Sequence, residues 1–390
     1  MVNFEFNLET DILFGIGQVE FLGEKIKKYT DSVLLVYGGG SIKRTGIYSD
    51  VIKTLKNSGI TVKELSGVQP NPRIEKVREG VTLCKQYNLG GVLAVGGGSS
   101  IDSGKVIAAG AKYKGDPWDL VTDSSKIESA LPVFTVLTAA ATGSEMNSAA
   151  VISKMDTNEK KGTHSDLFLP KVSVMDPTYT FSVPRKHTAA GIADIMSHTF
   201  ENYFTNEKGY MQARMAEAIL KTCIHYGPVV INNPEDYEAR ANIMWASSWA
   251  INGLLKKGCP VQWSCHSMEH ELSAFYDITH GEGLAVITPA WMQYVLSDST
   301  ARRFYEYGVN VWGIDRNLSE MEVAIAAIDL TQEFFVKDLK IPETLSELGV
   351  TDEKLEVMAE RAVRGSTIKG YMELSKDDVL NIYKLSLIHI

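Results

Sequence analysis

Within "AGIADIMSHTFENYF", an otherwise apolar run, Asp194 and His198 stand four residues apart. That spacing is about one helical turn, so both side chains leave the same face of a helix. A carboxylate and an imidazole placed this way can grip one divalent cation together, but two ligands are too few to hold it. Downstream, "QWSCHSMEHELSAFYDITHGEG" offers His266, His270 and His280 within fifteen residues of a chain that has eight histidines in all. Such a concentration points to one or two of them completing the coordination sphere. The competing readings are a salt bridge for Asp194 and a hydrogen-bonded core imidazole for His198. "HSMEH" also fits H-x-x-E-H, the inverted zinc-peptidase pattern, in which two histidines bind zinc and the glutamate acts as base. A peptidase, however, leaves Asp194 without a task.

It also leaves two glycine clusters unexplained. "YGGGSIKRTG" follows the strand-like "VLLV", and "VGGGSSIDSGK" follows "GVLA". A glycine-rich turn from strand to helix lets backbone N–H groups approach a phosphate, and the helix N-terminus adds favourable partial charge. Neither cluster is G-x-G-x-x-G or a Walker A sequence. A third candidate is "LTAAATGSE", where Thr138, Thr142 and Ser144 place hydroxyls after the strand-like "PVFTV". Its plainer reading is a helix cap. Asp102 likewise reads either as a first-turn acid favoured by the helix dipole or as an acceptor for a nicotinamide amide or ribose.

The elements that must position these residues differ between the two halves. Residues 31 to 140 alternate short apolar runs ("SVLLVY", "TVKEL", "GVLAVGGG", "PVFTVLT") with amphipathic stretches ("YSDVIKTLKNSG", "RIEKVREGVTLCKQYN"), the pattern of βαβ units around a parallel sheet. "VSVMDP" adds a further strand before Pro184. Beyond that proline the periodicities are helical: "YMQARMAEAILKTCIHYG", "YEARANIMWASSWAINGLL", "SEMEVAIAAIDLTQEFFVKDL". The expected organisation is an α/β nucleotide-binding domain over residues 1–184 and an all-α domain over 185–390. The length of 390 residues, the 44% hydrophobic content and the net charge of −9 suit two buried cores and a small-molecule ligand, rather than nucleic acid or an anionic membrane. No run reaches the roughly 18 apolar residues of a membrane helix. Four cysteines without a C-x-x-C pair fit the reducing cytoplasm. The closing "LIHI" is assigned no role.

Taken together, "ILFGIGQ", "GGGSIKRTG", "PNP", "GGGSSID", "TGSE", "DPTYT", "ADIMSHTFE", "ANIMWA" and "CHSMEHELSAFYDITHGEGLA" make the chain resemble the iron-containing (group III) alcohol dehydrogenases, and within them the butanol dehydrogenase-like aldehyde reductases. The resemblance runs over nearly the whole length. It implies a Rossmann-like N-terminal domain joined to an all-α metal-binding domain, the dehydroquinate synthase-like fold. By the same resemblance the metal ligands fall on Asp194, His198, His266 and His280, at the floor of an interdomain cleft, and His270 falls beside the nicotinamide. The cofactor contacts fall on Gly38, Gly39, Ser41, Asn71, Gly97, Gly98, Ser99, Asp102, Thr138, Thr142 and Ser144. Relatives that prefer NAD often carry an Asp where this chain has Gly39. With Lys43 and Arg44 nearby, the expectation is NADP(H) in preference to NAD(H).

The implied reaction is reversible hydride transfer between NAD(P)H and a short- to medium-chain aldehyde, assisted by one Fe2+ or Zn2+. Trp263, Phe275 and Tyr276 are expected near the substrate, favouring unbranched aldehydes over polyols. The alternatives are a glycerol dehydrogenase-like polyol enzyme, a dehydroquinate synthase relative, a non-catalytic nucleotide-binding protein and the peptidase. A homodimer formed through the strand "FEFNLETDILFG" is expected from the family.

Overall fold

The computed structural model describes residues 2–206, 209–259, 261 and 263–388, so His389 and Ile390 of the closing "LIHI" lie outside the described residues. Among the described residues eight strands form: β1 (Asp11–Phe14), β2 (Ser32–Tyr37), β3 (Thr61–Leu65), β4 (Gly91–Gly96), β5 (Val133–Leu137), β6 (Ala149–Lys154), β7 (Glu159–His164) and β8 (Val172–Met175). Six of them make a parallel sheet in the order β1-β8-β5-β4-β2-β3. Every residue of β4 and β5 is buried, which is why these strands read as continuous apolar runs without alternation.

Alternate residues still part to the two faces. Leu34, Val36, Val92 and Val133 pack with Val77, Val81, Val106 and Ile107 on one side; Val33, Leu35, Leu93, Val95 and Phe134 pack with Leu22, Ile26, Val51 and Leu55 on the other. The β6-β7 hairpin was not foreseen. Its turn contains no glycine; Asn158 takes the left-handed conformation instead (φ 48°), and lysines interrupt the apolar alternation of its strands. Of "FEFNLETDILFG" only Asp11–Phe14 forms a strand, at the sheet edge beside β8.

Packing groups Asn7–Val183 with Pro234–Ser248, and the rest of the described chain forms a second compact unit. In the first unit Met244, on the helix Tyr237–Ile251, meets Ala94, Ile101, Leu137 and Met175. The second unit is helical. Its main helices are Arg185–Tyr203, Tyr210–Asn232, Ser264–Tyr276, His280–Val295, Glu320–Glu333 and Lys376–Leu387. Capping boxes start two of them, Ser319 with Glu322 and Ser375 with Asp378. The helix Arg185–Tyr203 is buried from Thr188 to Tyr203, so the carboxylate and imidazole noted in its sequence lie in the core.

Candidate metal and nucleotide sites

Asp194 and His198 leave the 185–203 helix one turn apart, and their side chains meet, His198 Nε2 lying 3.4 Å from Asp194 Oδ1. The helix Ser264–Tyr276 brings His266 Nε2 to 3.7 Å from the same oxygen. His280, the first residue of the next helix, brings its Nε2 to 3.8 Å. That approach depends on backbone shape. Asp277 turns the chain in the left-handed region (φ 51°), and Gly281 lies against Ala190, whose backbone carbonyl a Cβ would strike.

Three imidazole nitrogens thus face one carboxylate oxygen. Asp194 Oδ1 and His266 Nε2 are buried without a hydrogen-bond partner, a costly state for polar atoms unless something else satisfies them. Burial alone would raise the Asp194 pKa, yet His198, His266 and His280 hold it well below the usual carboxylate range. Burial pushes His198 down, so its ring is neutral. His266 is also buried, but the nearby carboxylates of Asp194 and Glu201 outweigh that and raise it. The pocket therefore demands one positive charge beside Asp194. A proton on His266 can meet that demand, and so can a divalent cation held by imidazole nitrogens and the ionised carboxylate; the residues present fit one.

His270 stands one turn beyond His266, half-buried, with its ring 5.7 Å from that of His280. Trp263 joins the cluster edge-on, 5.0 Å from His266 and 6.0 Å from His198. Phe275 and Tyr276 are engaged elsewhere: Arg361 lies over the Phe275 ring at 4.9 Å, and the Tyr276 hydroxyl donates to Thr351 O at 3.2 Å. Two buried glutamates were missed. Glu201 faces His266 and Glu269 faces His280. The Glu269 contact removes the peptidase reading, because its carboxylate is taken up by His280 Nδ1 and the Ser273 hydroxyl and is not free to act as a base.

The glycine loops belong to the other unit. Gly38, Gly39 and Ser41 follow β2; Gly97, Gly98 and Ser99 follow β4 and open the helix Gly98–Gly110; Thr138 follows β5. These are adjacent strands, and the loops sit at their carboxyl ends, where open parallel sheets bind ligands. No side chain caps the 98–110 helix, so its N-terminal amides are not claimed by one. A Cβ on Gly98 would collide with Thr142, which ties the second loop to the third. Asn71 holds a left-handed backbone (φ 50°) before Pro72.

Asp102 accepts from Ser144 Oγ at 2.6 Å and from Val151 N at 2.8 Å, and is 8% exposed, so it clips the helix to the 142–151 segment. Lys105, also missed, is fully buried and donates to Ser144 Oγ, Asn147 O, Asn147 Oδ1 and Ala149 O. Burial lowers its pKa to about 8 despite Asp102 and Glu145. The Asp–x–x–Lys spacing in an otherwise small-residue helix was the available signal. Lys43, expected to serve a 2'-phosphate, instead pairs with Glu64 at 3.4 Å and lies over Tyr48.

A parallel-sheet unit with glycine-bearing loops at its strand ends, and a helical unit with a three-histidine, one-carboxylate cluster, together point to a metal-assisted nicotinamide oxidoreductase. The comparisons with known proteins make this particular. Residues 9–177 match the iron-containing alcohol dehydrogenase model, and residues 188–387 match that of the Fe-containing alcohol dehydrogenase family, C-terminal. The chain is 56% identical to the NADH-dependent butanol dehydrogenase A of Clostridium acetobutylicum, over 99% of its own length and 100% of the relative's. It is 41% identical to the NADPH-dependent aldehyde reductase YqhD of Escherichia coli over 90% of each. Among solved structures, NADH-dependent butanol dehydrogenase A from Thermotoga maritima superposes with a TM-score of 0.95 at 39% identity, covering 99% of both chains. The chain belongs to the iron-containing alcohol dehydrogenase family and is an NAD(P)-dependent alcohol dehydrogenase.

Proposed function

We propose that the protein interconverts short- to medium-chain aldehydes and primary alcohols, butanal and butanol among them, and that Asp194, His198, His266 and His280 hold the divalent ion. The observation that carries this reading is the approach of three Nε2 atoms to Asp194 Oδ1. When bound there, Fe2+ or Zn2+ supplies a Lewis acid for the substrate oxygen; three imidazoles and one carboxylate suit either ion. A nicotinamide cofactor, when bound, would supply the hydride for the carbonyl carbon, and His270 would pass a proton toward the product oxygen. Trp263 packs edge-on against His198 and His266 and so borders the place the substrate oxygen would take on this reading.

In the other unit, Gly38, Gly39, Ser41, Asn71, Gly97, Gly98, Ser99, Thr138, Thr142 and Ser144 line the dinucleotide, while Asp102 holds Ser144 in place. NADH and NADPH are both accepted on this reading. Gly39 presents no carboxylate to a 2'-phosphate, and Lys43 is engaged by Glu64 rather than free to attract one. Initial rates of butanal reduction by metal-loaded protein, with NADH and NADPH side by side, test the proposal. Oxidation of both supports it; no oxidation of either, with bound metal verified, would move the substrate to polyols. All four cysteines are buried, and no described helix is long and apolar enough to cross a membrane.

A further inference from the structure

His266 and His280 each turn Nε2 toward Asp194, and the opposite nitrogen of each ring meets a buried glutamate. Glu201, on the same helix as Asp194 and His198, places Oε1 3.3 Å from His266 Nδ1. The same carboxylate accepts from His266 N at 3.0 Å and from Ser264 N at 2.9 Å, so it also fixes the start of the helix carrying His266. Glu269 has no exposed surface; Oε2 meets His280 Nδ1 and Oε1 accepts from the Ser273 hydroxyl. A buried carboxylate is costly unless each oxygen finds a donor, and here an imidazole N–H supplies one. His198 is the contrast. Its Nδ1 is buried without a hydrogen bond, and its ring is held by stacking on His266, with centroids 4.8 Å apart and planes 15° apart.

We propose that Glu201 and Glu269 are positioning residues for the metal site. By accepting the Nδ1 proton of His266 and of His280, they fix the tautomer that leaves each Nε2 unprotonated toward Asp194, and they make each ring a stronger donor. This rests on the metal-site reading above. Without such a partner an imidazole can carry its proton on either nitrogen, and its ring can turn; a carboxylate on Nδ1 settles both choices. The peptidase-like spacing of "HSMEH" thus has a different use: Glu269 serves a histidine eleven residues further on.

The test titrates Co2+ into metal-stripped full-length protein against a chromophoric chelator and records the visible d–d spectrum. The wild type is expected to bind one ion, and Glu269→Gln to bind it about 10- to 100-fold more weakly with shifted bands, as loss of such a partner typically does. Metal-free Glu269→Gln should unfold where the metal-free wild type does, because Gln keeps the volume and one acceptor. Glu201→Gln should weaken binding in the same direction, and should also lower the metal-free midpoint because an amide N–H would face Ser264 N or His266 N. A Glu269→Gln protein with wild-type affinity and spectrum would overturn the proposal while leaving the metal site standing. A wild type that binds no Co2+, or an Asp194→Asn variant that binds it equally well, would overturn both. A second measurement needs no variant: ring 15N shifts of Zn2+-loaded wild type should show His266 and His280 protonated on Nδ1, and a proton on Nε2 of either would contradict the assignment.

Discussion

Asp194 is the residue on which the proposed metal site depends, since three imidazoles face its Oδ1. Asp194→Asn keeps the shape and removes the charge, and bound metal measured by elemental analysis should fall to background; His280→Ala should do the same. Retention of a full complement by either would count against the ligand set. Lys105 gives a different prediction. Burial lowers its pKa from the ordinary 10.5 to about 8, so as pH falls the unfolded chain takes up this proton first. Its contribution to stability is therefore greatest above about pH 10.5, falls as pH drops toward 8, and is flat below that. The unfolding free energy of wild type relative to Lys105→Met should rise between pH 8 and 10.5, by up to about 3 kcal/mol; a constant difference would contradict the shift. Asp194 and His198 were legible because a helix period puts i and i+4 on one face. Lys105, Glu201 and Glu269 were not. Sequence marks a charged residue as exposed by default, and only the tertiary partners show why burial is tolerated.

At the scale of elements, the metal cluster needs the His280–Val295 helix to lie close on the Arg185–Tyr203 helix, and Gly281 permits this. Gly281→Val should force the pair apart, lowering the metal-free unfolding midpoint and weakening metal binding together, with a packing cost of about 1 to 3 kcal/mol. An unchanged midpoint would mean that the contact is not tight. The strands and helices of the α/β half were legible from their alternating apolar runs and glycine-bearing turns. The β6-β7 hairpin was not, because β7 carries Lys160 and Lys161 with Gly162 before the buried Thr163, and its turn rests on Asn158. The helix Tyr237–Ile251 was read correctly as a helix. What its periodicity could not show was that Met244 packs beneath the sheet, since that depends on long-range contacts.

For the whole molecule, we propose that the homodimer expected from the family forms at one edge of the sheet. β1 is the outermost strand, and Phe14, Ile16, Phe21 and Trp245 are exposed in the same unit, with Phe14 and Trp245 in edge contact at 5.7 Å. Sedimentation should give twice the 43.0 kDa chain mass, and Ile16→Asp should shift the protein toward the monomer; a wild-type monomer would remove the expectation. On the proposed function, hydride transfer to an aldehyde depends on an ion held by Asp194 and the three histidines. The most direct measurement is the anaerobic rate of nicotinamide oxidation with butanal, for wild type and Asp194→Asn, after metal stripping and after reloading with Fe2+ or Zn2+. Stripping should abolish the wild-type rate and reloading should restore it, while Asp194→Asn should be inactive in both states. A stripped wild type that reduces butanal as fast as the reloaded protein would contradict it.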